Sequence, residues 1–596
     1  MCALLVIGFT VRFVYFDEWL YFKTDQARDA MLVSTAIENG LSHLPLLGPR
    51  VGAVELTSGL LRVGPIYYYF QYISGRLFHS VDPSVFAYPD LFFGVAAIPM
   101  LFLLVRLAFS ASTSLLITTL FSFSFLAIQY SRFAWNPNPL PFFLFLSFYG
   151  LLKFLRETSI KKRLLWVVLW AIGGSVAIQL HFFGTFSLIG ISGLVLLWHF
   201  EVWKMAVLRS VTTKKVLLPI LRYFSVALMV FSVFSVPIII NDVLRQGENT
   251  RNFFEALTSK PDGKHSLVEK FSEALYQNGR YLCLVSTGTC ISGKIEKIAL
   301  PLTVTTLFLF ASLCALIARL RSTKSDAERD FLRLTLVWLI VFFILSVPVA
   351  FQLRPRFFLV VIAIPFFLWA ILFEYLRDRW SHRGALIGLT VFALLLGLNI
   401  YGTAMWFQEQ SLSQEKGISI ERTLILKNKD GVTLGQLKRA SEVLAKAVRK
   451  DERIYFFVKP EHIAPVEYLL RQERRRNPAL VFENMEKWND RFEQDPKARF
   501  FALVNVEHVH LDAIAKKFEK SIEVLSVEPC GQIAAVEFRV LNRIIDSSFQ
   551  QEIQHQKLIT EKKPGGRVFW GDVFGFETAS SMSDEVENED AAISEE

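Results

Sequence analysis

The first polar segment of the chain, FDEWLYFKTDQARDAM at residues 16–31, holds residue types that can move a proton. Asp25 and Asp29 are four residues apart, which places both carboxylates on one face of a helix, with Arg28 close enough to keep one of them ionised. Charged groups between hydrophobic runs are usually functional. One of these carboxylates could then act as a general base, and Arg28 and Asp29 are candidate substrate-binding residues. The structural alternative for Asp25 is a solvated loop carboxylate or a helix cap.

Four later segments carry the other candidate side chains. Arg354 and Arg356 flank a proline, and a guanidinium can bind a phosphate through paired hydrogen bonds. His181 in the QLHFF turn is a candidate ligand or an interfacial aromatic residue. Head-group anchoring is the structural alternative for Arg354 and Arg356. The remaining candidates are Tyr67 and Tyr68 in GPIYYY and Arg132 and Asn136 in YSRFAWNPNP. The structural alternatives for these two segments are a tyrosine belt at the membrane interface and the shaping of a proline-rich turn.

The elements that must position these groups are membrane helices. Of the 596 residues, 52% are hydrophobic and 55 are Phe, which is too apolar for a soluble protein of this size. The net charge of +9 comes from short clusters between apolar runs, so it indicates membrane topology and not nucleic-acid binding. We predict a mainly α-helical, polytopic membrane protein.

The hydropathy pattern predicts a bundle of about 11 transmembrane helices. The first, MCALLVIGFTVRFVYF, is short and contains Arg12, which must snorkel or face protein. Tyrosines and arginines at 56–78 are typical of an interfacial helix in the first outer loop. The remaining spans are predicted at 85–107, 113–130, 139–155, 164–180, 183–203, 217–240, 298–318, 331–351, 356–376 and 383–405.

Lysine and arginine clusters predict the orientation. The clusters at 153–163, 204–215, 319–333 and 377–383 all fall on one side, which the positive-inside rule makes cytoplasmic. The outer side then receives the loops 17–84 and 241–297 and everything after about residue 406. All the candidate side chains converge on this outer face.

The composition changes after the last predicted span. Helix-like stretches at 436–449, 465–475 and 509–519 alternate with β-rich runs at 453–458, 498–505 and 534–540, which predicts a small extracytoplasmic α/β domain. Residues 543–596 are expected to form a disordered tail with an acidic end. The predicted domains are therefore 1–406 in the membrane, 412–542 outside it, and the tail.

Several chemistries lack their usual motifs. The sequence contains no Gly-rich phosphate loop, HExxH or paired CxxC pattern, so nucleotide-driven and zinc chemistry lose support. No cofactor is predicted, since Asp25 and Asp29 alone are weak evidence for a Mg²⁺ or Mn²⁺ site. Cys283 and Cys290 share one outer loop, where a disulfide can form if that loop lies outside the cytoplasm.

The order of the short motifs resembles the C-type glycosyltransferases of the protein O-mannosyltransferase and lipid A aminoarabinose transferase group. The resemblance covers roughly the first 400 residues and implies an enzyme that moves a sugar, with inversion, from a polyprenyl-phosphate carrier to an acceptor at the outer face. The family's usual acidic pair is Asp-Glu, and Gln26 replaces its second member, so the acceptor class stays open. The motifs are Arg12, TDQARDA (24–30), Gly64-Pro65, SRFAWNPNPLP (131–141) and PRFF (355–358).

The expected reaction needs a base on one side of the sugar and a cation for the departing phosphate on the other. The resemblance assigns Asp25 as the base, and Arg356, with His181 or Arg132, suits the phosphate. The partners are then a lipid-linked sugar, membrane lipids and an acceptor hydroxyl or amine on a protein, lipid or glycan, all at the cell membrane. The alternatives are a transporter or flippase of lipid-linked sugars, disfavoured by charges at helix ends and no visible repeat, and a scaffold that uses only its outer domain.

Overall fold

The computed structural model describes residues 1–51, 61–200, 213–258, 265–424, 431–448, 452–476, 482–485, 488, 490–545 and 567–575. The described chain is mainly α-helical, with one five-stranded sheet near its C-terminal end. It forms two compact units. The first contains Met1–Val14, Pro45–Gln71 and Tyr88–Thr403, and the second contains Tyr15–Leu44, Tyr72–Ala87 and Ala404–Glu596.

The helices up to the end of the hydrophobic region follow the apolar runs of the sequence. They are α1 (Cys2–Phe13), α2 (Thr24–Asn39), α3 (Ile66–Leu77), α4 (Pro83–Val105), α5 (Ala111–Ser122), α6 (Phe125–Gln129), α7 (Leu140–Arg156), α8 (Ile160–Leu180), α9 (Phe182–His199), α10 (Thr213–Leu244), α11 (Glu248–Thr258), α12 (Leu267–Thr287), α13 (Ile295–Ser322), α14 (Asp326–Ser346) and α15 (Ile364–Lys416). Short 3₁₀ turns at Ala350–Gln352 and Pro355–Val361 precede α15.

The chain is a multi-pass membrane protein. Within the described residues, six helices are long and apolar enough to cross a membrane, namely Pro83–Val105, Ile160–Leu180, Phe182–His199, Leu221–Leu244, Ile295–Ser322 and Ile364–Lys416. Helices α1 and α5 are apolar but have 12 residues each, fewer than the roughly 20 that a span needs. The count of about 11 spans, like the interfacial placement of α3, stays a prediction. The spans predicted at 356–376 and 383–405 lie largely in α15, which leaves helical geometry at Ser381, where φ is 48°.

The charge in the first helix faces protein. Arg12 is fully buried, and its Nη1 donates to the carbonyl oxygens of Ser122 in α5 at 2.9 Å and of Gly8 at 3.0 Å. Gly8 lets α1 pack closely against α4 and α5, because a Cβ there would lie 2.7 Å from Ile98 and 2.8 Å from the hydroxyl of Ser122. Of the two possibilities for Arg12, snorkelling or facing protein, the structure shows the second.

Basic residues that the sequence suggested as topology markers form ion pairs within the first unit. Asp330 accepts from Arg156 at 3.4 Å and lies 3.3 Å from Nδ1 of His199. Arg319 bonds Glu328 at 2.6 Å. These side chains link α7, α9, α13 and α14, so the basic residues also hold these helices together.

The second unit is built on a mixed sheet with the strand order β2-β1-β3-β5-β4. Strand β1 is parallel to β2 and β3, and β5 is antiparallel to β3 and β4. The β-rich runs predicted at 453–458, 498–505 and 534–540 are confirmed as β1, β3 and β5. The strands are β1 (Arg453–Val458), β2 (Phe482–Asn484), β3 (Ala498–Asn505), β4 (Ile522–Cys530) and β5 (Ile533–Val540).

Helices cover this sheet, and the predicted helical stretches at 436–449, 465–475 and 509–519 coincide with three of them. The core contains aromatic side chains of both sheet and helices, among them Tyr455, Phe500 and Phe518. The helices are α16 (Leu434–Ala447), α17 (Pro460–Arg476), α18 (Asp490–Gln494), α19 (Asp512–Phe518) and α20 (Trp570–Phe574).

The second unit also contains two parts of the first outer loop. The amide of Leu434 donates to the carbonyl of Leu20 at 2.8 Å, and the hydroxyl of Tyr468 donates to that of Val81 at 2.6 Å. The compact units thus divide the chain differently from the predicted boundaries 1–406 and 412–542, which remain predictions. Of the predicted tail, 546–566 and 576–596 lie outside the described residues.

Candidate functional site

The acidic segment forms the start of α2, in the second unit. The Nη1 of Arg28 lies 3.1 Å from Oδ1 of Asp25, while its Nε and Nη2 donate to Oδ1 of Asp29 at 3.1 and 3.0 Å. The side chains of Arg28 and Asp29 are buried, and that of Asp25 is 54% exposed. One buried guanidinium therefore holds both carboxylates and leaves Asp25 accessible to a reactant.

Gln26 has a local structural task. Its Oε1 accepts from the backbone N–H of Lys23 at 3.2 Å, and the side chain is buried at the first turn of α2. This one-sided cap requires only a side-chain oxygen at the third helical position, which Gln supplies as well as Glu. A glutamine at position 26 therefore keeps the start of the helix intact.

Arg356 in the first unit lies over an aromatic platform. Its Cζ is 5.1 Å from the centre of the Trp135 ring and 5.6 Å from that of Phe357. Cation–π contact of this kind orients a guanidinium over the aromatic rings. Arg354, two residues earlier, is exposed, and its Nη1 donates to the carbonyl of Leu353 at 3.0 Å.

His181 lies in the turn between α8 and α9, with its ring edge-on to Phe357 at 5.3 Å. The side chain is buried, and within the described part of the chain its Nδ1 has no hydrogen-bond partner. Burial lowers the pKa of His181 to about 3, and the positive charge of Arg356 acts in the same direction. The imidazole is neutral at pH 7, so it can offer a hydrogen bond to a ligand but no charge.

The pKa of His181 predicts a pH effect on stability. An unfolded histidine binds a proton near pH 6.5, whereas folded His181 does so near 3, so this residue lowers the free energy of unfolding as pH falls through that window. We expect the melting temperature of the wild type to fall more steeply between pH 7 and pH 4 than that of His181→Asn. Equal slopes in differential scanning fluorimetry would contradict a neutral His181.

Tyr130 adds a hydroxyl near the same arginine. Its ring is stacked with Trp135 at 6.4 Å. A small cleft in the first unit is lined by apolar side chains and by the polar residues Tyr130, Ser131 and Asn138.

Arg132 and Asn136 fasten their turn to helix ends. The Nη1 of Arg132 donates to the carbonyl of Arg12 at 2.8 Å and its Nη2 to that of Val14 at 2.7 Å, which satisfies free carbonyls at the end of α1. The Nδ2 of Asn136 donates to the carbonyl of Leu180, the last residue of α8, at 2.6 Å. These contacts account structurally for both residues, and substrate binding by them stays a prediction.

Tyr67 and Tyr68 are fully buried, and the hydroxyl of Tyr67 donates to Oδ2 of Asp90 at 2.8 Å. Asp90 also accepts from the backbone N–H of Trp135 at 3.4 Å, so it ties α3 to the turn that supports Arg356. We did not predict a role for Asp90. An acidic residue within the apolar run FAYPDLFFG was the available indication, because such residues in a span are rarely without a partner.

Removal of the Tyr67 hydroxyl tests this contact. Tyr67→Phe is expected to cost about 1–3 kcal/mol of stability, because it leaves a buried carboxylate oxygen without its donor. In an Asp90→Asn background the same change is expected to cost less, and the double-mutant cycle measures the difference. Additive losses in detergent-solubilised protein would contradict the coupling.

Two cysteines of the predicted outer loop are joined. Cys283 and Cys290 form a disulfide across the C-terminal end of α12. Both are buried in the first unit. The described residues contain no group of three or more His, Cys, Asp or Glu side chains that could hold a metal ion.

Comparison with known proteins finds one matching family model and several solved structures of similar fold. A model of the dolichyl-phosphate-mannose-protein mannosyltransferase family matches residues 1–242. No curated protein matches the sequence. ArnT from Cupriavidus metallidurans, in a crystal structure bound to undecaprenyl phosphate, is similar with 14% identity and a TM-score of 0.50 over 90% of this chain and 97% of that one.

The oligosaccharyltransferase AglB from Archaeoglobus fulgidus, in complex with an inhibitory peptide and a dolichol-phosphate, is similar with 14% identity and a TM-score of 0.45 over 92% of this chain and 75% of that one. The predicted resemblance to the C-type glycosyltransferases is confirmed by the family model and by the ArnT-like fold.

Proposed function

We propose that this protein is a membrane glycosyltransferase that moves a sugar from a polyprenyl-phosphate carrier to an acceptor hydroxyl or amine, with inversion at the sugar carbon. The observation that carries the proposal is the carboxylate of Asp25, accessible at the start of α2 and held by Arg28. A fixed, exposed carboxylate with a cation beside it suits general-base catalysis.

The proposed reaction balances without a cofactor. The acceptor oxygen or nitrogen forms a bond to the anomeric carbon, and its proton passes to Asp25. The bond between the anomeric carbon and the phosphate oxygen breaks, and its electron pair leaves with the polyprenyl phosphate. Attack on the face opposite the leaving group inverts the configuration.

Arg356 is the proposed partner of the phosphate. The rings of Trp135 and Phe357 orient its guanidinium, which can donate two hydrogen bonds to phosphate oxygens. His181 is the proposed neutral donor beside it, since its Nδ1 is buried and its ring packs on Phe357. Arg354 is proposed to bind the lipid head group less closely, because its side chain is exposed.

We place the reaction and the C-terminal domain on the extracytoplasmic side. The disulfide between Cys283 and Cys290 supports this orientation, because such bonds persist in oxidising compartments and are rare in the cytosol. The positive-inside distribution of lysine and arginine supports the same orientation. Labelling of an introduced cysteine in the sheet domain with an impermeant reagent on intact cells tests it.

The direct test uses purified protein in vesicles with a radiolabelled polyprenyl-phosphate sugar and a mixture of acceptors. Transfer predicts released polyprenyl phosphate and a labelled product that survives delipidation. Movement of intact lipid-linked sugar across the bilayer without cleavage would instead support the alternative, a transporter or flippase.

A further inference from the structure

The helix that carries Asp25 packs beside a helix of the sheet domain, within the second unit. At its start, Nζ of Lys23 lies 3.0 Å from Oε2 of Glu461, and at its end Glu38 pairs with Arg475. Helices α2 and α17 therefore run side by side in the same direction. Since α17 directly follows β1, the sheet domain holds α2 at both ends.

The contact at the start of α2 is the more protected one. The side chains of Lys23 and Glu461 are 10% and 28% exposed, against 34% and 32% for Glu38 and Arg475. The hydroxyl of Thr24 also donates to the backbone carbonyl of Glu461 at 3.3 Å. One residue of the sheet domain thus binds the two residues that immediately precede Asp25.

The bonds of Glu461 fix the position of α2 within the unit, which Arg28 cannot do. Arg28 lies on α2 itself, so its bond to Asp25 sets the carboxylate relative to the helix but not the helix relative to the rest of the unit. Glu461 supplies that second constraint through a charge-assisted hydrogen bond to Lys23 and a backbone bond from Thr24. Placement matters, because a shift of about 1 Å at a reacting group can cost ~10²-fold in rate.

We propose that Glu461 is a positioning residue for Asp25, and that the sheet domain serves to hold the acidic helix for catalysis. The inference rests on the proposed function of Asp25 as the base. It assigns the C-terminal domain a part in turnover without requiring that domain to touch the donor lipid.

A charge exchange tests the proposal in the full-length protein in vesicles. Lys23→Glu and Glu461→Lys each place like charges together and are expected to lower kcat by about 10- to 100-fold. KM for the polyprenyl-phosphate sugar is expected to change little. The double variant restores an ion pair of opposite sense and is expected to recover most of kcat, a coupling that a general loss of stability would not give.

A matched pair of milder variants covers the case in which Glu461→Lys does not fold. Glu461→Gln removes the charge next to Asp25 and is expected to lower kcat several-fold. Glu38→Gln makes the same chemical change at the far end of the same helix pair and is expected to lower kcat less, because that contact lies farther from Asp25. Equal kcat for these two variants would overturn the proposal.

Different experimental outcomes would contradict the positioning role of Glu461 and the proposed function of Asp25. If Asp25→Asn keeps full activity, the assignment of the base is wrong and Glu461 has nothing to position. If Asp25→Asn is inactive while both charge reversals keep wild-type kcat, only the positioning role is overturned. Failure of the double variant to recover kcat overturns it as well.

Discussion

Replacement of Asp25 by asparagine is expected to lower the rate of sugar transfer by ~10²–10⁴-fold, the usual contribution of a general base. The amide has nearly the same shape as the carboxylate but cannot take the proton of the acceptor. Arg28 keeps its two bonds to Asp29, so the helix stays folded. The change is expected in kcat, measured with vesicles and a labelled lipid-linked sugar, with little change in donor affinity.

Asp17→Asn is the matched control, because Asp17 is also exposed in the same acidic segment. Its activity is expected to equal that of the wild type. A normal rate for Asp25→Asn, or an equal loss in both variants, would remove Asp25 as the base. If the lost activity of Asp25→Asn returned at high pH, another group that loses its proton there would be acting as the base.

Replacement of Arg356 by glutamine is expected to weaken binding of polyprenyl phosphate by about 10- to 100-fold. Hydrogen bonds to charged groups contribute about 1.5–3 kcal/mol, and each 1.4 kcal/mol is tenfold in affinity. The affinity of Arg356→Lys is expected to lie between those of the wild type and Arg356→Gln. Lysine keeps the charge but loses the paired donors and the flat contact with Trp135. Titration of the solubilised protein with the lipid phosphate measures all three.

Arg251→Gln provides the comparison for Arg356, since Arg251 is an exposed arginine of α11 in the same unit. Its removal changes the net charge equally and is expected to leave the affinity within about twofold of wild type, as distant surface charges are screened. Equal loss of affinity in both variants would mean that the general charge of the protein, and not Arg356, attracts the lipid.

Much of the sheet domain could be predicted because neighbouring residues in the sequence determine most of its strands and helices. Strands β1, β3 and β5 coincide with continuous apolar runs such as RIYFFV, which have the length and β-branched or aromatic content of buried strands. Strand β4 was missed because it lies at the sheet edge, largely exposed, with charges and a proline in IEVLSVEPC. Its pattern resembles a loop until its partner is known.

The candidate site was predictable in part for the same reason. The clamp of Arg28 on Asp25 and Asp29 involves one helix, so spacing alone predicts it. The roles of Asp90 and Glu461 depend on contacts with α3 and α2, far away in the sequence, and no local pattern indicates them. Sequence spacing identifies groups on one element, whereas pairs between elements require the packing.

The guanidinium of Arg132 binds the main-chain carbonyls of Val11, Arg12 and Val14, and this has a consequence for the evolution of the chain. A carbonyl is present whatever side chain its residue carries, so substitutions at positions 11, 12 and 14 leave these acceptors in place. The arginine has no partner whose identity must change with it. Among related sequences, position 132 should therefore be restricted to arginine without covariation at the three positions that it contacts.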